Sequence, residues 1–485
     1  MTHYYFFTAL LFLLDVVIRI GLSVRVIMRR RPVGVSLAWL MVILIFPFLG
    51  ALIYLLFGEL RLGSRRARRA EIIHEPYEAW LADLRGRIGD TRSALDHHCQ
   101  PLARLTESAV GIPVFPGGEL TLLDDWQQVF RALIADIDAA QRTCHMVFYI
   151  WNVGGEADEV AEALRRAVRR GVICRVLVDD VGSRPFLRSP AAEKMREAGV
   201  QLHAALPGSL LRMLLVRYDL RMHRKIVVID GEIAYTGSLN LVDPRHFKQE
   251  AGVGEWVDAM VRIRGPAVEG LAITFLEDWE LETGVGLDEL RKTGDVQQPA
   301  PQGPAHLQVI PSGPAVRSEA IEEILLMAIY AAQRELVLTT PYFVPEEALR
   351  TALISAARRG VHVILIVPAK VDSLLVRLAS RAFQGDLAAA GVEIRLFDAG
   401  LLHTKSITID GQRCLFGSLN LDPRSLFLNF EITLGIYDPT FAGQLRRLQQ
   451  SYIDQAEIMD LQAWQARSPL QRFTENVARL VGPLL

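Results

Sequence analysis

One eighteen-residue pattern occurs twice in this chain, 180 positions apart. The first copy runs from His223 to Asn240, and the second runs from His403 to Asn420. Both copies have the order His-x-Lys, then Asp-Gly after an apolar stretch, then Gly-Ser-Leu-Asn, with identical spacing throughout. A repeat of this length predicts two related halves that contribute equivalent side chains to the fold.

Each copy of the pattern predicts a β-hairpin. An apolar run interrupted by Asp-Gly is typical of two strands joined by a tight turn, because these residues adopt positive φ angles readily. Period-2 alternation along the first strand would place the histidine and the lysine on the same face. The glycine permits close backbone approach, and the serine and asparagine that follow offer donors to a phosphate oxygen. The predicted phosphate-binding residues are Ser238, Asn240, Ser418 and Asn420.

The two copies together predict a site for phosphoryl transfer. A single His-x-Lys is most often an ordinary surface pair, because short motifs have many false positives, but two copies with identical spacing favour a functional role. If a pseudo-twofold axis brings the halves together, His223 and His403 face one phosphate from opposite sides. One imidazole can then attack phosphorus while the other protonates the departing alkoxide. Lys225 and Lys405 would stabilise the negative charge on the phosphate oxygens.

The aspartates of the pattern belong to the predicted catalytic motif, but they have a different expected role. Asp230 and Asp410 each follow their histidine by seven residues, which is about 23 Å of extended strand. Aspartate is also common in turns of any hairpin. We therefore expect both aspartates to act in the turn and in a structural ion pair rather than at phosphorus.

Two glutamates are better placed in the sequence to orient the imidazoles. Glu250 follows His223 by 27 residues, and Glu431 follows His403 by 28. The repeat therefore predicts that each glutamate binds Nδ1 of the histidine in its own half, which would fix the tautomer and stabilise the imidazolium. The alternative is that both glutamates are solvated surface residues, as most glutamates are.

The repeat extends beyond the two motifs and predicts the fold class. Apolar strands at 146–151 and 336–342 precede helical stretches that end in Arg-Arg-Gly-Val, and strands at 174–178 and 362–367 precede helices that end in Ala-Gly-Val. Glycine after a basic last turn is a helix C-cap signal. Strands that alternate with helices at this spacing predict an α/β fold with a mixed, largely parallel sheet flanked by helices in each pseudo-symmetric half.

The sequence also predicts how these parts are divided along the chain. The 485 residues are enough for two core-forming domains and an extension. A polar, proline-rich stretch marks the linker between the halves. The predicted division is a membrane hairpin at 1–60, a basic helical connector at 61–112, a first half at 113–289, the linker at 290–306, a second half at 307–460 and an amphipathic C-terminal segment at 461–485.

The N-terminal sixty residues are mostly apolar. Segments at about 4–27 and 33–57 are each near the ~20 residues that cross a bilayer, so they predict a transmembrane hairpin, although the first could lie in the interface instead. Asp15 and Arg19 lie one helical turn apart and could neutralise each other. A cleaved signal peptide fits poorly, because a second apolar segment follows without a cleavage site. Basic clusters at 29–31 and 61–69 nearly balance under the positive-inside rule, and we expect a cytoplasmic catalytic region.

Composition and motifs disfavour several other functions. The formal net charge of −2 argues against a nucleic-acid partner. The four cysteines have no metal-binding spacing and are expected to be reduced and buried, and no other metal motif is present, so we expect no metal or cofactor. In the C-terminal segment Phe473, Val477, Leu480 and Val481 follow helical spacing. That helix is equally compatible with packing on the domain and with lying on a membrane.

The paired pattern resembles the HKD motif of the phospholipase D superfamily. The whole chain is further similar to the bacterial cardiolipin synthases with two membrane segments, and both HKD motifs match without a departure. Beyond the motifs, the resemblance covers the N-terminal segments and the stretches 147–151, 235–244, 247–254, 339–345 and 428–431. It implies two phospholipase D-like halves that share one site.

The resemblance also implies a reaction, its substrates and a location. Two phosphatidylglycerol molecules would give cardiolipin and glycerol through a phosphatidyl-histidine, with His223 as the nucleophile and His403 as the acid and base. The partners would be these lipids and the bilayer, and the location would be the inner membrane of a bacterial cell, with a multi-pass topology. The oligomeric state is left open.

Three other classes of protein have to be distinguished from this one. A hydrolytic phospholipase D would use the same residues with water as the acceptor, so its product would be phosphatidic acid. A nuclease of the same superfamily would need a basic groove and no membrane hairpin, and the sequence shows the reverse. A membrane scaffold without activity would have no need of two intact motifs.

Overall fold

The computed structural model describes residues 2–29, 33–46, 48–58, 64–207, 219–293, 299–314 and 319–480. They form two compact units, one within residues 1–68 and the other comprising residues 69–207 and 220–485. Because the two HKD motifs both fall in the second unit, that unit contains the candidate site.

The first unit contains three helices, α1 (Thr2–Met28), α2 (Val33–Ile45) and α3 (Leu49–Phe57). The expected pairing of Asp15 with Arg19 is confirmed, because Arg19 Nε lies 2.7 Å from Asp15 Oδ2. Arg19 Nη1 also donates to the carbonyl oxygen of Leu44 at 2.7 Å, and Asp15 Oδ1 accepts from the Phe48 amide at 3.2 Å. The charged pair therefore connects α1 to the α2–α3 segment.

The predicted second membrane segment, at 33–57, is divided into α2 and α3 rather than forming one helix. Within the described residues, none of the helices combines the length and the apolar composition that a bilayer crossing requires. Of the basic residues used to predict the membrane side, Arg30, Arg31 and Arg61 lie outside the described residues.

The first half of the second unit begins at Arg69, within helix α4. Its strands are β1 (Phe115–Leu123), β2 (Thr143–Phe148), β3 (Ile173–Asp179), β4 (Gln201–Ala205), β5 (Arg221–Met222), β6 (Ile226–Ile229), β7 (Ile233–Gly237), β8 (Trp256–Val257) and β9 (Met260–Arg264). Its helices are α4 (Ser64–Ile88), α5 (Gln100–Val110), α6 (Trp126–Ala139), α7 (Glu156–Arg169), α8 (Arg184–Leu187), α9 (Pro190–Glu197), α10 (Ala267–Thr283) and α11 (Leu287–Lys292).

The second half repeats this order of elements. Its strands are β10 (Ala305–Ser312), β11 (Glu335–Thr339), β12 (His362–Pro368), β13 (Glu393–Phe397), β14 (Leu401–Leu402), β15 (Ser406–Ile409), β16 (Arg413–Gly417), β17 (Asn429–Ile436) and β18 (Ala456–Ile458). Its helices are α12 (Ala320–Tyr330), α13 (Glu347–Arg358), α14 (Leu374–Ala389), α15 (Pro423–Phe427), α16 (Pro439–Asp454), α17 (Leu461–Gln465) and α18 (Pro469–Leu480).

The sheet order confirms the predicted pseudo-symmetric α/β fold. From its centre outward the first half has the order β1-β9-β7-β6-β2-β3-β4, and the second half has the matching order β10-β17-β16-β15-β11-β12-β13. The two halves meet where β1 pairs antiparallel with β10. Strands β2, β3 and β4 are parallel neighbours, as are β11, β12 and β13, whereas the hairpin strands are antiparallel. Each half is therefore a mixed sheet, as predicted. The expectation that it is largely parallel is wrong, because in each half the hairpin strands and the central strands pair antiparallel and only the outer three strands are parallel.

The helices that cover the two sheets pack in equivalent ways. In α7 the buried residues include Val160, Leu164 and Ala167, and in α13 they include Leu349, Leu353 and Ala356. The spacing is the same in both helices and places one apolar side against the sheet. The predicted linker at 290–306 begins in α11 and ends at β10, and residues 294–298 of it lie outside the described residues. The predicted domain boundaries stay predictions.

The two Asp-Gly turns have the expected backbone conformation. The φ angles are 54° at Asp230 and 67° at Gly231, and 55° at Asp410 and 67° at Gly411. The Asp230 carboxylate accepts hydrogen bonds from three consecutive backbone amides, at residues 141, 142 and 143, over 2.7 to 2.9 Å. The Asp410 carboxylate does the same with the amides of residues 333, 334 and 335. Each aspartate therefore fastens a hairpin turn to the start of a neighbouring strand.

We expect Asp230→Asn and Asp410→Asn to act on stability rather than on chemistry. Each substitution weakens a set of charge-assisted bonds to backbone amides, so each should lower the free energy of unfolding by about 1–3 kcal/mol. Thermal melting and the activity of the folded fraction would be measured together. Asp138→Asn, which changes a surface ion pair with Arg166, is the matched control. Loss of turnover without a change in melting would place an aspartate in the reaction itself.

Candidate active site

Both histidine segments pair with a strand of the opposite half. Strand β5 runs parallel to the start of β17, and β14 runs parallel to β8. The amide of His223 donates to the carbonyl oxygen of Phe430 at 2.9 Å, and the amide of His403 donates to that of Val257 at 2.8 Å. The histidine and lysine were predicted to lie within the first hairpin strand. In the structure β6 begins only at Ile226 and β15 at Ser406, so each His-x-Lys segment precedes its strand. Because each histidine segment pairs with the opposite half, the two motifs lie together at one site.

Each imidazole binds a carboxylate from the opposite half. His223 Nδ1 lies 2.8 Å from Glu431 Oε2, and His403 Nδ1 lies 2.7 Å from Asp258 Oδ1. These four side chains are buried, and Glu431 has no exposed surface. An acceptor on Nδ1 fixes the proton on that nitrogen and leaves Nε2 available for reaction.

The prediction that Glu250 orients an imidazole is wrong. Glu250 is an exposed residue in the short 3-10 turn Gln249–Ala251, and Asp258 occupies the position that was predicted for it. Glu431 does bind an imidazole, but it binds that of His223 in the other half rather than that of His403. The pairing was predicted within each half, whereas the structure exchanges the carboxylates between the halves.

The error has a local cause in the sequence. Ser238 exchanges hydrogen bonds with the backbone of Ala259, and Ser418 does so with the backbone of Ile432. These contacts make Asp258 and Glu431 equivalent, because each directly precedes the residue that its serine binds. The stretch from Ser238 to Asp258 is seven residues longer than that from Ser418 to Glu431, so equal spacing from the histidines selected the wrong residue. The available signal was an acidic residue at the start of a mostly apolar segment, at 258–263 and at 431–436.

The two lysines are buried beside the histidines. Lys225 Nζ donates to the carbonyl oxygen of His223 at 2.7 Å, and Lys405 Nζ donates to that of His403 at 2.5 Å. Burial lowers the pKa of Lys225 to about 8 and also lowers the pKa of Lys405, while the negative charges of Glu431 and Asp258 oppose this effect. The two lysine side chains therefore lie with two carboxylates in one buried cluster.

The electrostatics make both imidazoles neutral near pH 7. Burial lowers the pKa of His223 and of His403 to about 4, and the positive charges of both lysines contribute in each case. Burial acts to raise the pKa of the Glu431 and Asp258 carboxyls, but the adjacent histidines and lysines outweigh it and hold both values below the usual range. Because each histidine is affected by the lysine of the other half, the two motifs form one electrostatic unit.

Serines and asparagines of the motifs have different roles in the structure. Ser418 Oγ donates to Glu431 Oε2 at 2.5 Å, and the Ser238 hydroxyl is bonded to the backbone at Ala259. Both hydroxyls thus hold the carboxylate segments, which differs from the predicted phosphate contact. Asn240 Oδ1 accepts from the Ile150 amide at 3.1 Å, and among the described residues its buried Nδ2 has no partner. The side-chain nitrogen of Asn240, Nδ2, remains a candidate donor to phosphate.

The fourth predicted phosphate-binding residue, Asn420, is buried in the equivalent position of the second half. Its Oδ1 has no partner among the described residues. The side chain lies beside Asp422, whose pKa is raised to about 6 because burial outweighs its bond to the Ser425 amide. The phosphate contact of Asn420 stays a prediction.

Aromatic side chains border the imidazoles. The ring centroid of Tyr149 lies 4.9 Å from that of His223, and the centroid of Trp256 lies 4.4 Å from that of His403. The half-exposed Lys248 places Nζ 5.7 Å from the centroid of Trp256. We call Tyr149, Trp256 and Lys248 the active-site rim. Within the described residues, one group of side chains, Asp96, His97 and His98, is close enough to hold a metal ion; it is exposed and does not include site residues.

We expect His223 and His403 to lower the stability of the protein as the pH falls from 6.5 towards 4, whereas Asp422, with its pKa raised to about 6, acts in the opposite direction over part of this range. The pKa of His223 and of His403 is about 4 when folded and 6.5 in an exposed imidazole. Between these values the unfolded chain binds more protons, so acid favours unfolding. The melting temperature would be followed over this range. The double substitution His223→Gln and His403→Gln should make the melting temperature fall less with acid than in the unchanged protein, whereas His362→Gln, at an exposed histidine, should not. Equal slopes in all three proteins would contradict the buried neutral state.

Comparison with known proteins identifies the family. The family model described as "Cardiolipin synthase, PLD-like domain" matches residues 133–259 and 325–452, and the model "Phospholipase_D-nuclease N-terminal" matches residues 17–59. Cardiolipin synthase A of Erwinia tasmaniensis is 48% identical over 466 residues, and that of Citrobacter koseri is 47% identical over 467 residues. Both alignments cover 96% of this chain and 96% of the relative.

A solved structure supports the fold independently of close sequence similarity. The phosphatidylserine synthase of Haemophilus influenzae has a TM-score of 0.59 and 16% identity, over 79% of this chain and 99% of that one. This likeness supports the fold alone. The two matches of the domain model correspond to the two halves that meet at the histidines, and the relatives match almost the whole chain. This chain accordingly belongs to the cardiolipin synthase family of phospholipase D-like enzymes, which are phosphatidyltransferases.

Proposed function

We propose that this enzyme transfers a phosphatidyl group from one phosphatidylglycerol to another through a phosphatidyl-histidine, and releases glycerol. The observation that carries the proposal is the pair of buried imidazoles, each bound at Nδ1 by a carboxylate of the opposite half. That arrangement supplies two equivalent Nε2 atoms for one phosphodiester, one to form a bond with phosphorus and one to carry a proton.

The first step forms a bond between His223 Nε2 and phosphorus and breaks the bond from phosphorus to the glycerol oxygen. His403 gives its proton to that oxygen, so glycerol leaves as a neutral alcohol. Both imidazoles are neutral before substrate binds, and the negative charge of the bound phosphodiester then favours uptake of the proton that His403 donates. The Lys225 and Lys405 ammonium groups stabilise the charge on the non-bridging oxygens.

The second step reverses the first with a new alcohol. The terminal hydroxyl of the second phosphatidylglycerol loses its proton to His403, and its oxygen attacks phosphorus. The bond from phosphorus to His223 breaks, and cardiolipin is formed. One phosphodiester replaces another, so the exchange needs no external energy source, and no step is assigned to a metal ion. Asn240 Nδ2 is proposed to donate to the phosphate in both steps.

The test is a product assay on purified full-length protein with phosphatidylglycerol in detergent micelles. The proposal predicts one glycerol released for each cardiolipin formed. The alternative is hydrolysis, in which water replaces the second lipid and phosphatidic acid appears with glycerol. Phosphatidic acid as the main product at high phosphatidylglycerol content would reject the transferase proposal in favour of the hydrolase.

The proposed location is the inner membrane of a bacterial cell, with the catalytic unit on the cytoplasmic side. Helices α1, α2 and α3 support binding to a bilayer, because they expose many large apolar side chains. Their exposed residues include Tyr4, Tyr5, Phe6, Phe7, Phe12, Leu13, Val33, Leu37, Met41 and Leu44. A multi-pass hairpin remains part of the proposal.

Deletion of residues 1–60 should separate chemistry from membrane placement. The deletion leaves the described catalytic side chains intact, so activity on mixed micelles should be retained in large part. Activity on vesicles should fall at least about tenfold, because the enzyme is no longer confined to the layer that contains both substrates. Rates on micelles and vesicles would be compared at equal protein concentration. Unchanged vesicle activity would show that the N-terminal helices are dispensable for placement.

A further inference from the structure

Helix α18 exposes its apolar side. Leu470, Phe473, Val477 and Leu480 have 72%, 65%, 45% and 77% of their surface accessible. Their spacing places them along one side of the helix. An amphipathic helix on a globular domain normally buries this side, so α18 is oriented the opposite way. Val481, which was predicted to extend the apolar side, lies outside the described residues.

The orientation is fixed by contacts on the other side of α18. Glu475 is only 2% exposed, accepts from Arg381 Nε at 2.8 Å and also binds Arg467. Ala478 is buried in an apolar cluster with Val344 and Ala379. At 100° per residue, the direction of Glu475 and Ala478 differs from that of the exposed apolar residues by roughly 150°. The buried ion pair therefore holds the apolar side towards the solvent.

A second exposed apolar group lies on the helix that α18 packs against. Leu374 and Leu375 begin α14 and are 61% and 41% exposed. Ala379 and Arg381, which contact α18, lie on the same helix one to two turns later. We call the six exposed residues of the two helices the C-terminal patch: Leu374, Leu375, Leu470, Phe473, Val477 and Leu480.

The C-terminal patch lies beside the active-site rim. Asp372, two residues before Leu374, accepts from Lys248 Nζ at 3.1 Å and from the Tyr342 hydroxyl at 2.8 Å. Lys248 in turn lies over Trp256, whose ring contacts His403. A short series of contacts thus connects the exposed leucines to a reactive imidazole. A surface that binds the patch therefore also lies near His403.

The charges around the patch favour an anionic surface. Arg377, Arg472 and Arg479 are exposed on α14 and α18. Arginines beside an exposed apolar side are typical of helices that lie in the interface of anionic bilayers. The proposed substrate also requires a bilayer surface next to the site. Phosphatidylglycerol must present its phosphate to a buried site while its acyl chains stay in the bilayer.

We propose that the C-terminal patch inserts into the interfacial layer of an anionic bilayer and holds the active-site rim at the level of the lipid phosphates. The proposal rests on the proposed use of phosphatidylglycerol and adds a second contact with the membrane, in the catalytic unit itself. The alternative to the bilayer is that a second copy of this chain binds the patch.

The first experiment measures insertion directly on the full-length protein. Phe473→Cys and Gln471→Cys would each be labelled with an environment-sensitive fluorophore; the four native cysteines are buried and should not react in the folded protein. With vesicles containing phosphatidylglycerol, the label at 473 should shift to shorter wavelength and be quenched by brominated acyl chains. Gln471 is also exposed but points roughly 140° away from the apolar residues, so the label at 471 should respond much less. Equal responses at both positions, or none at 473, would overturn the proposal.

The second experiment measures the effect on activity. The triple substitution Phe473→Ser, Val477→Ser and Leu480→Ser removes most of the apolar side, and because these residues are exposed the protein should melt normally. Turnover on vesicles should fall at least about tenfold, with turnover on micelles within about twofold of the unchanged protein. The matched control is Gln471→Ser with Asn476→Ser, which should leave both rates unchanged. Equal rates on vesicles for the triple variant and the control would overturn the proposal.

The outcomes separate this proposal from the proposed function. If micelles yield phosphatidic acid instead of cardiolipin, the transferase proposal fails while the insertion of residue 473 still decides the docking proposal. Sedimentation of the protein without lipid tests whether a second copy of the chain binds the patch. A dimer of the full chain that the triple substitution converts to a monomer, with no lipid response at 473, would assign the patch to self-association and reject the bilayer.

Discussion

Replacing either His223 or His403 with alanine is expected to reduce cardiolipin formation by about a thousandfold or more. Each substitution removes a group that the proposed exchange uses in both steps: one imidazole forms the bond with phosphorus, and the other transfers the proton. The measurement is cardiolipin formed from phosphatidylglycerol in micelles, with melting recorded for each protein. Activity within about tenfold of the unchanged enzyme in either variant would contradict a mechanism that uses two histidines.

The control for these variants is His362→Ala. His362 begins β12, is exposed and pairs with Glu393 at 3.1 Å. It tests whether loss of any histidine from the catalytic unit affects turnover. We expect its activity to remain within about twofold of the unchanged enzyme.

A lipid substrate with a good leaving group separates the two roles. Phosphatidyl-p-nitrophenol releases a phenolate that needs no proton, so the first step no longer requires a general acid. If His223 is the nucleophile, His403→Ala should release up to one equivalent of p-nitrophenolate and retain the lipid on the protein, whereas His223→Ala should release none. The reverse result would assign the nucleophile to His403.

The carboxylates that bind the imidazoles should also have large effects. Asp258→Asn and Glu431→Gln are expected to lower turnover by about a hundredfold or more. A neutral amide can present its nitrogen to Nδ1 and favour the wrong tautomer, and it cannot stabilise the imidazolium. Glu250→Gln is the matched control, because Glu250 is exposed and lies outside the site; it should leave turnover unchanged.

The pH profile distinguishes this effect from a general loss of structure. Without the adjacent negative charge, protonation of the imidazole is less favourable, so the pH dependence of turnover should shift to lower pH in Asp258→Asn and Glu431→Gln. A variant that melts early but keeps the original profile would have only a structural role. A normal rate for Asp258→Asn together with a low rate for Glu250→Gln would contradict the exchanged arrangement of the carboxylates.

Much of the fold could be predicted from the sequence because it depends on local patterns. The repeated motif predicted two related halves, and the order of strands in the sheet confirms them. The Asp-Gly turns and the helices that end at Gly171, Gly199, Gly360 and Gly391 need backbone conformations that only a few residue types adopt easily. These features involve neighbours in the chain, so their spacing is visible in the sequence.

The candidate site was only partly predictable, because its hydrogen bonds join residues that are distant in the chain. The positions of His223 and His403 in equivalent motifs were evident from the repeat. That Glu431 binds His223, 208 residues away, and that Asp258 binds His403, 145 residues away, depends on how β5 and β14 pair with the opposite half. A seven-residue difference between the halves was enough to direct the prediction to Glu250.

The sequence by itself determined which chemical groups this protein carries and the local elements that contain them. Only the tertiary structure decided which carboxylate faces which imidazole, because packing between the halves sets those contacts. The same holds for α18. Its amphipathic spacing was evident in the sequence, but the apolar side faces the solvent because Glu475 finds Arg381 and Arg467 on the domain, and a buried charge has to be paired.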